Sequence, residues 1–227
     1  MSLLLNIDTA TGTASVSIAQ DGHILQEAIS TDQKDHAAFL QPAIQFIFKN
    51  AGLSFHQLDA IAIVAGPGSY TGLRVGMASA KGICYALNKP LITIGTLEVM
   101  AWQVINQFNI KQSHLPLLFC PMIDARRMEI FTAIYNSALH TILSPCAVVI
   151  EKKSFGNLLL KNKIIFFGNG VVKWQQLCDN ENAHFFYPKV NPLYMSALTY
   201  KKYLNNEFAD TAYTEPMYIK EFFESQL

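Results

Sequence analysis

The chain has 227 residues, 51% of them apolar, which is enough to bury one large core or two smaller ones side by side. Seventeen lysines and arginines balance seventeen aspartates and glutamates, so no overall positive field holds nucleic acid by counterion release, and any RNA contact has to be local or shared with a partner. No apolar run approaches the roughly 18 residues that cross a bilayer, the opening Met-Ser-Leu-Leu-Leu-Asn-Ile-Asp lacks a basic leader-type start, and Cys84, Cys120, Cys146 and Cys178 are dispersed without a C-x-x-C pair; the expectation is a cytoplasmic globular protein with buried thiols.

In chain order, residues 2–7 and 13–20 read as strands joined by Asp8-Thr9-Ala10-Thr11-Gly12, and Asp21-Gly22 is a hairpin signal leading to a third strand, 23–29. A helix follows over about 36–51, stopped by Gly52. A strand at 60–65 runs into GPGSYTGLRVG (66–76), then a helix over about 73–88, a strand at 91–95 and a helix at 96–108. From Leu115 the pattern restarts. Ile123-Asp124-Ala125 echoes Ile7-Asp8-Thr9, and strands near 128–135, 142–150 and 163–167, a short helix near 155–160 and a helix at about 196–206 complete an eroded second half. A strand-Asp-turn-strand unit that heads two meanders is the layout of the actin, hexokinase and Hsp70 class: an α/β, ribonuclease H-like fold duplicated as halves 1–108 and 109–227. Two unrelated α/β domains that share an Ile-Asp turn are the alternative.

Glycines between a strand and a helix let backbone amides approach something closely, often a phosphate. The spacing fits neither common nucleotide fingerprint. Gly66 and Gly68 are followed by Thr71 where G-x-G-x-x-G needs a third glycine, and Leu73-Arg74 follow Gly72 where the P-loop needs Lys and Ser or Thr. Two readings stay open: an anion site at a helix N-terminus, or a turn in which Ser69 or Thr71 caps the helix and Pro67 stiffens its entry. Asp8 and Asp124 are either carboxylates facing a cleft or acceptors for their own tight turns. Arg126 and Arg127 beside Glu129 bind an anion or form a surface ion pair.

GPGSYTGLRVG, IDTAT at the start, IDAR at 123–126 and Glu215-Pro216-Met217-Tyr218-Ile219 together resemble the bacterial TsaB (YeaZ) family of the TsaD superfamily, once grouped as glycoproteases. The resemblance implies a nucleotide or anion cleft over Asp8, Thr9, Thr11, Gly66, Gly68, Ser69, Asp124 and Arg126. ATP or ADP would bind weakly, or only in a complex, and no cofactor would be required. In the catalytic paralogue a His-x-x-x-His pair binds metal, two imidazoles at i and i+4 sharing one ion. The matching positions here are Thr96 and Met100, a hydroxyl and a thioether that do not replace imidazoles around a hard or borderline cation. The resemblance therefore implies a chain without catalysis of its own. Two other readings remain: a glycoprotease-type metallopeptidase, or an independent ATPase or small-molecule kinase of the same fold.

On a helical wheel the second helix places Leu73, Met77, Ala80, Cys84 and Leu87 on one stripe and Val75, Ala78, Gly82 and Ala86 nearly opposite, with Arg74, Lys81 and Asn88 as a polar seam. That apolar arc is wider than a helix resting on one sheet needs. The first helix is similar, with Gln41, Gln45 and Lys49 as its wet stripe. The expectation is a helix-bundle interface through His36, Phe39, Leu40, Ala43 and Ile47 of the first helix and Leu73, Arg74, Met77, Ala80, Lys81 and Cys84 of the second, such that Ala80→Arg or Phe39→Asp abolishes a complex and leaves the monomer folded; both helices lying sandwiched inside their own domain is the alternative. As partners the resemblance implies a TsaD-type paralogue, a TsaE-type ATPase, a second copy in isolation, and tRNA indirectly. The reaction it implies is threonylcarbamoyl transfer to N6 of adenosine 37 of tRNA.

Overall fold

The computed structural model describes residues 1–32, 36–108 and 114–220. β1 (Leu3–Asp8), β2 (Ala14–Gln20) and β3 (His23–Ser30) form an antiparallel meander. Asp21 and Gly22 turn the β2–β3 hairpin with φ of 50° and 83°, the left-handed pair whose twist suits adjacent strands. α1 (His36–Ala51) ends at Gly52, φ 66°. β4 (Ala60–Gly66), α2 (Tyr70–Leu87) and β5 (Leu91–Gly95) follow, with β4 parallel to both β1 and β5.

After α3 (Thr96–Gln107) come β6 (Leu117–Asp124), β7 (Glu129–Asn136), β8 (Thr141–Val149), α4 (Gly156–Leu159), β9 (Lys163–Phe167), α5 (Val171–Gln175), β10 (Ala183–Phe186) and α6 (Leu193–Leu204). The sheets run β3-β2-β1-β4-β5 and β8-β7-β6-β9-β10, one order used twice. This is the duplicated actin-like ATPase fold. Its erosion sits in two helices: where the first half has α1 and α2, of 16 and 18 residues, the second has α4 and α5, of 4 and 5.

The contacts divide the chain into one unit of Met1–Val99 with Val190–Met217 and another of Met100–Lys189 with the chain from Tyr218. This corrects the cut expected after residue 108. The last helix belongs with the first sheet because Ser196 of α6 is buried on it, where Asn6 Nδ2 donates to Ser196 Oγ (3.1 Å) and Ser17 Oγ lies 3.3 Å from the same hydroxyl. Most of α3 belongs with the second unit, where Gln103 donates to the Lys189 carbonyl and Phe108 packs edge-on to Phe186.

Alternation along β1 builds two layers in the first unit. Leu3, Leu5 and Ile7 join Leu40, Ile44 and Ile47 of α1 and Met77, Ala80 and Cys84 of α2 in one core, each fully buried Leu or Ile stabilising by about 1.5–3 kcal/mol. Asn6, on the other face, meets α6. The second unit packs Cys120, Met122, Ile164 and Phe166 against Leu159 and Trp174. Among the described residues no helix is long and apolar enough to cross a membrane.

Candidate functional site

The glycine loop meets the chain's own backbone. A Cβ at Gly68 would overlap the Ala10 carbonyl oxygen, one at Gly72 the Thr9 carbonyl oxygen, and one at Gly76 the Thr9 hydroxyl. Hydrogen bonds seal this approach: Ser69 N donates to Ala10 O (2.7 Å), Thr9 Oγ1 to Gly72 O (2.7 Å), and Gly72 N to Ser69 Oγ (3.3 Å). Ser69 is thus the N-cap of α2, and α2 begins at Tyr70, three residues before the expected Leu73. Gly66, φ 120°, makes room for a different neighbour: a Cβ there would lie 2.7 Å from Met217 O, and Met217 N donates to Ala65 O (2.7 Å). Of the two readings of the loop, these contacts supply the structural one in full.

Asp8 closes β1 and accepts from Ala10 N (3.0 Å). Burial pushes its carboxyl up to about 6, against the opposing pull of the Ala10 amide and of His36. Thr11 lies in the same turn, its hydroxyl donating to Thr13 O (3.4 Å) and its carbonyl 2.8 Å from His36 Nε2. A carbonyl only accepts, so Nε2 carries the proton of that bond. His36 is 6% exposed, which corrects its assignment to a partner surface: the imidazole wedges the first turn against α1.

The second turn has a different electrostatic setting. Asp124 N donates to Asn169 Oδ1 (2.9 Å), while Asp124 Oδ1 accepts from Arg126 N (2.6 Å) and Lys173 Nζ (2.9 Å). Desolvation alone would raise this carboxyl, but Lys173 and the Arg126 amide outweigh it and hold it below the usual range. Glu129 pairs with Lys220. Arg126 and Arg127 both have positive φ, 68° and 46°, and carry the chain around the β6–β7 turn.

Thr96 opens α3 with its side chain buried and Oγ1 without a hydrogen-bond partner among the described residues. Four residues on, Met100 places its methyl beside Gly168. Neither side chain suits a hard or borderline cation, and among the described residues no group of three His, Cys, Asp or Glu side chains is placed to hold a metal ion.

The helix face requires the largest correction. Leu40, Ala43 and Ile47 of α1, and Leu73, Met77, Ala80 and Cys84 of α2, are buried, and Phe39 packs against the core they form with the sheet. Lys81 donates to Ala212 O and Thr214 O, each at 3.1 Å. Arg74 is exposed, its guanidinium 4.0 Å above the Tyr70 ring. The opposite stripe faces outward: Ala78, Gly82, Tyr85 and Ala86 on α2, and Ala38, Pro42, Gln45 and Phe46 on α1. Phe46 is 55% and Tyr85 89% exposed, and nothing lies within 4 Å of where a Gly82 Cβ would stand. A wide apolar arc does not say which stripe meets the sheet. In the structure the stripe with Leu73, Met77, Ala80 and Cys84 fills the core, and the stripe with Ala78, Gly82, Tyr85 and Ala86 is left outside.

Residues 23–217 match the family described as TsaD, tRNA N6-adenosine threonylcarbamoyltransferase. A Bacillus subtilis relative, "tRNA threonylcarbamoyladenosine biosynthesis protein TsaB", is 29% identical over 133 residues, 59% of this chain and 55% of its own; this chain thus spans about half of that relative. The Haemophilus influenzae protein of the same name is 29% identical over 96% of this chain and 93% of its own. The structure titled "YeaZ from Pseudomonas aeruginosa" shares the fold, with TM-score 0.76 at 21% identity over 96% of this chain and 100% of that one. A family match reaching from the third strand to the last described segment, on a fold duplicated as in YeaZ, places this chain in the TsaD superfamily, in its TsaB (YeaZ) branch.

Proposed function

We propose that this chain takes part in forming threonylcarbamoyladenosine in tRNA as a scaffold subunit without catalysis of its own. It docks a TsaD-type paralogue through the outward face of α1 and α2, with a TsaE-type ATPase as third member and tRNA met through the complex. The observation that carries this reading is Gly82. A glycine inside a helix costs about 1 kcal/mol relative to alanine, and here nothing in the described chain lies close enough to require it. An approaching helix from outside does require it. Phe46 and Tyr85, both exposed on the same two helices, are the aromatic anchors such an interface uses. With the partner absent, a second copy covers the same face.

Thr96 and Met100 support the lack of independent catalysis, since neither replaces a metal-binding imidazole. The reading requires no nucleotide in this subunit, because the glycines of 66–76 already have neighbours in Thr9, Ala10 and Met217. Weak ADP or ATP binding within the complex is compatible with it.

The test is co-purification with the paralogue. Gly82→Arg should raise Kd more than about 100-fold, close to 2.7 kcal/mol, while leaving the melting temperature of the isolated chain within about 2 °C. A retained complex sinks the proposal, as does turnover by this chain alone with a bound transition metal. Ala80→Arg does not serve as the test, because Ala80 is 0% exposed and an arginine there breaks the core.

A further inference from the structure

We infer that residues 209–217 form a third wall of the partner surface, and that Lys81 is the residue that positions it. This rests on the docking role just proposed and goes beyond it in assigning residues outside the two helices.

The segment is tied by main-chain bonds near its ends, Ala209 N to Leu91 O (2.8 Å) and Met217 N to Ala65 O (2.7 Å). Between them the Asp210 carboxylate accepts from Ala212 N (2.8 Å) and Tyr213 N (3.2 Å), and Thr214 N donates to Asp210 O (2.9 Å). This turn leaves Tyr213 at its tip, 85% exposed. Lys81 holds the carbonyls on either side of that tyrosine, those of Ala212 and Thr214. It is the side chain of α2 that fixes where Tyr213 stands.

Helical geometry sets the order across the surface. Ser79, bonded to Gln41 of α1 (3.0 Å), marks one edge of the exposed arc of α2, and Lys81 marks the other. Ala78 and Gly82 lie between them. The face therefore reads α1, then α2 with its small residues at the centre, then the 209–217 segment, with Tyr213 and Tyr85 on the segment's side. An exposed stripe of small residues with two tyrosines along one side suits an incoming helix. The occupant is the paralogue rather than a second copy on grounds of charge. α1 and α2 carry Lys49, Arg74 and Lys81 and no aspartate or glutamate, the surface's carboxylates Asp210 and Glu215 lying on the segment, so copies that pair helix against helix bring like charges together, whereas a partner helix bearing carboxylates complements them.

The experiment measures Kd for the TsaD-type partner with Tyr213→Ala, Lys81→Met, the double variant, and Gly82→Arg as control, alongside hydrogen exchange of the isolated chain. Each single variant should weaken binding about tenfold. The double should weaken it no further, because both remove the same contact. Lys81→Met alone should speed exchange in residues 209–217 without lowering the melting temperature by more than a few degrees. An additive double overturns the positioning role of Lys81, which would then touch the partner itself. Unchanged Kd in both single variants, with Gly82→Arg abolishing binding, overturns the inference and leaves the docking face standing. Binding that survives Gly82→Arg brings down the docking face instead.

Discussion

The β1–β2 turn and the β6–β7 turn are the same device built twice, a strand ending in aspartate with glycines packed on its backbone carbonyls, set in two different electrostatic surroundings. In the first, Gly68 and Gly72 pack on the carbonyls of Ala10 and Thr9; in the second, Gly168, φ 102°, packs on the Met122 carbonyl and Gly170 N donates to that same oxygen (3.0 Å). The carboxylates between them have parted: Asp8 is desolvated and raised, and Asp124 is ion-paired and lowered. The helix that follows the glycines has parted too, 18 residues in the first half and 5 in the second. Glycine packing is what the fold needs from each half. Among the described residues, a long helix follows these glycines only in the first half.

The largest effect comes from breaking the glycine packing. Gly72→Ala should cost more than about 4 kcal/mol, since its Cβ would overlap a main-chain carbonyl that cannot move without taking the first turn with it. Gly168→Ala should cost as much in the second unit, where positive φ adds to the overlap. Gly82→Ala, in the same helix as Gly72, should instead stabilise by about 0.5–1 kcal/mol, because the new methyl meets nothing and the helix gains propensity. Urea midpoints for the three variants decide it. A mild Gly72→Ala would mean that the first turn is not held by close packing and that its glycines serve something else.

Much of this architecture is legible in the sequence, and its gaps have physical causes. Asp21-Gly22, Gly52 and the 36–51 periodicity mark local backbone states, so the hairpin and α1 fall where expected. α5 and β10, with 5 and 4 residues, are too short to show a period. The exchange of third helices between units depends on Ser196 meeting Asn6 and Ser17, a contact between distant parts of the chain that no local pattern encodes. The glycine loop misleads for a sharper reason. Close approach to a phosphate and close approach to a neighbouring carbonyl both require a missing Cβ, so the spacing of Gly68, Gly72 and Gly76 is the same in either case.

Asp8→Asn tests the buried side of the comparison. The native carboxyl, at about 6 against an ordinary 3.8, binds its proton more tightly than the unfolded chain does. Stability from this group is therefore greatest below about pH 4 and falls as pH rises towards about 6. Asp8 retains some solvent access, so the loss is about 1–2 kcal/mol rather than the full linkage value. Asparagine keeps the acceptor for Ala10 N and cannot ionise. The variant should be more stable than the native chain by about that amount at pH 7.5, with a flatter Tm profile between pH 4 and 6. An unchanged slope would show that desolvation does not govern Asp8.

The smallest effect is at Asp124, and its sign is opposite. A carboxyl held below its ordinary value contributes stability above that value and loses it as pH falls through the lower, native one. The pair with Lys173 is substantially exposed, 43% at the aspartate side chain, so solvent screening limits Asp124→Asn to a loss of about 0.5 kcal/mol at neutral pH. Lys173→Met should lose somewhat more, since Lys173 Nζ also donates to Glu129 O (2.9 Å) and thereby ties α5 to β7. In acid the Asp124→Asn difference should vanish while the Lys173→Met difference persists in part, because a carbonyl does not titrate. If both vanish together, the ion pair alone accounts for Lys173, and the second turn is held by its glycines and Asn169 without help from charge.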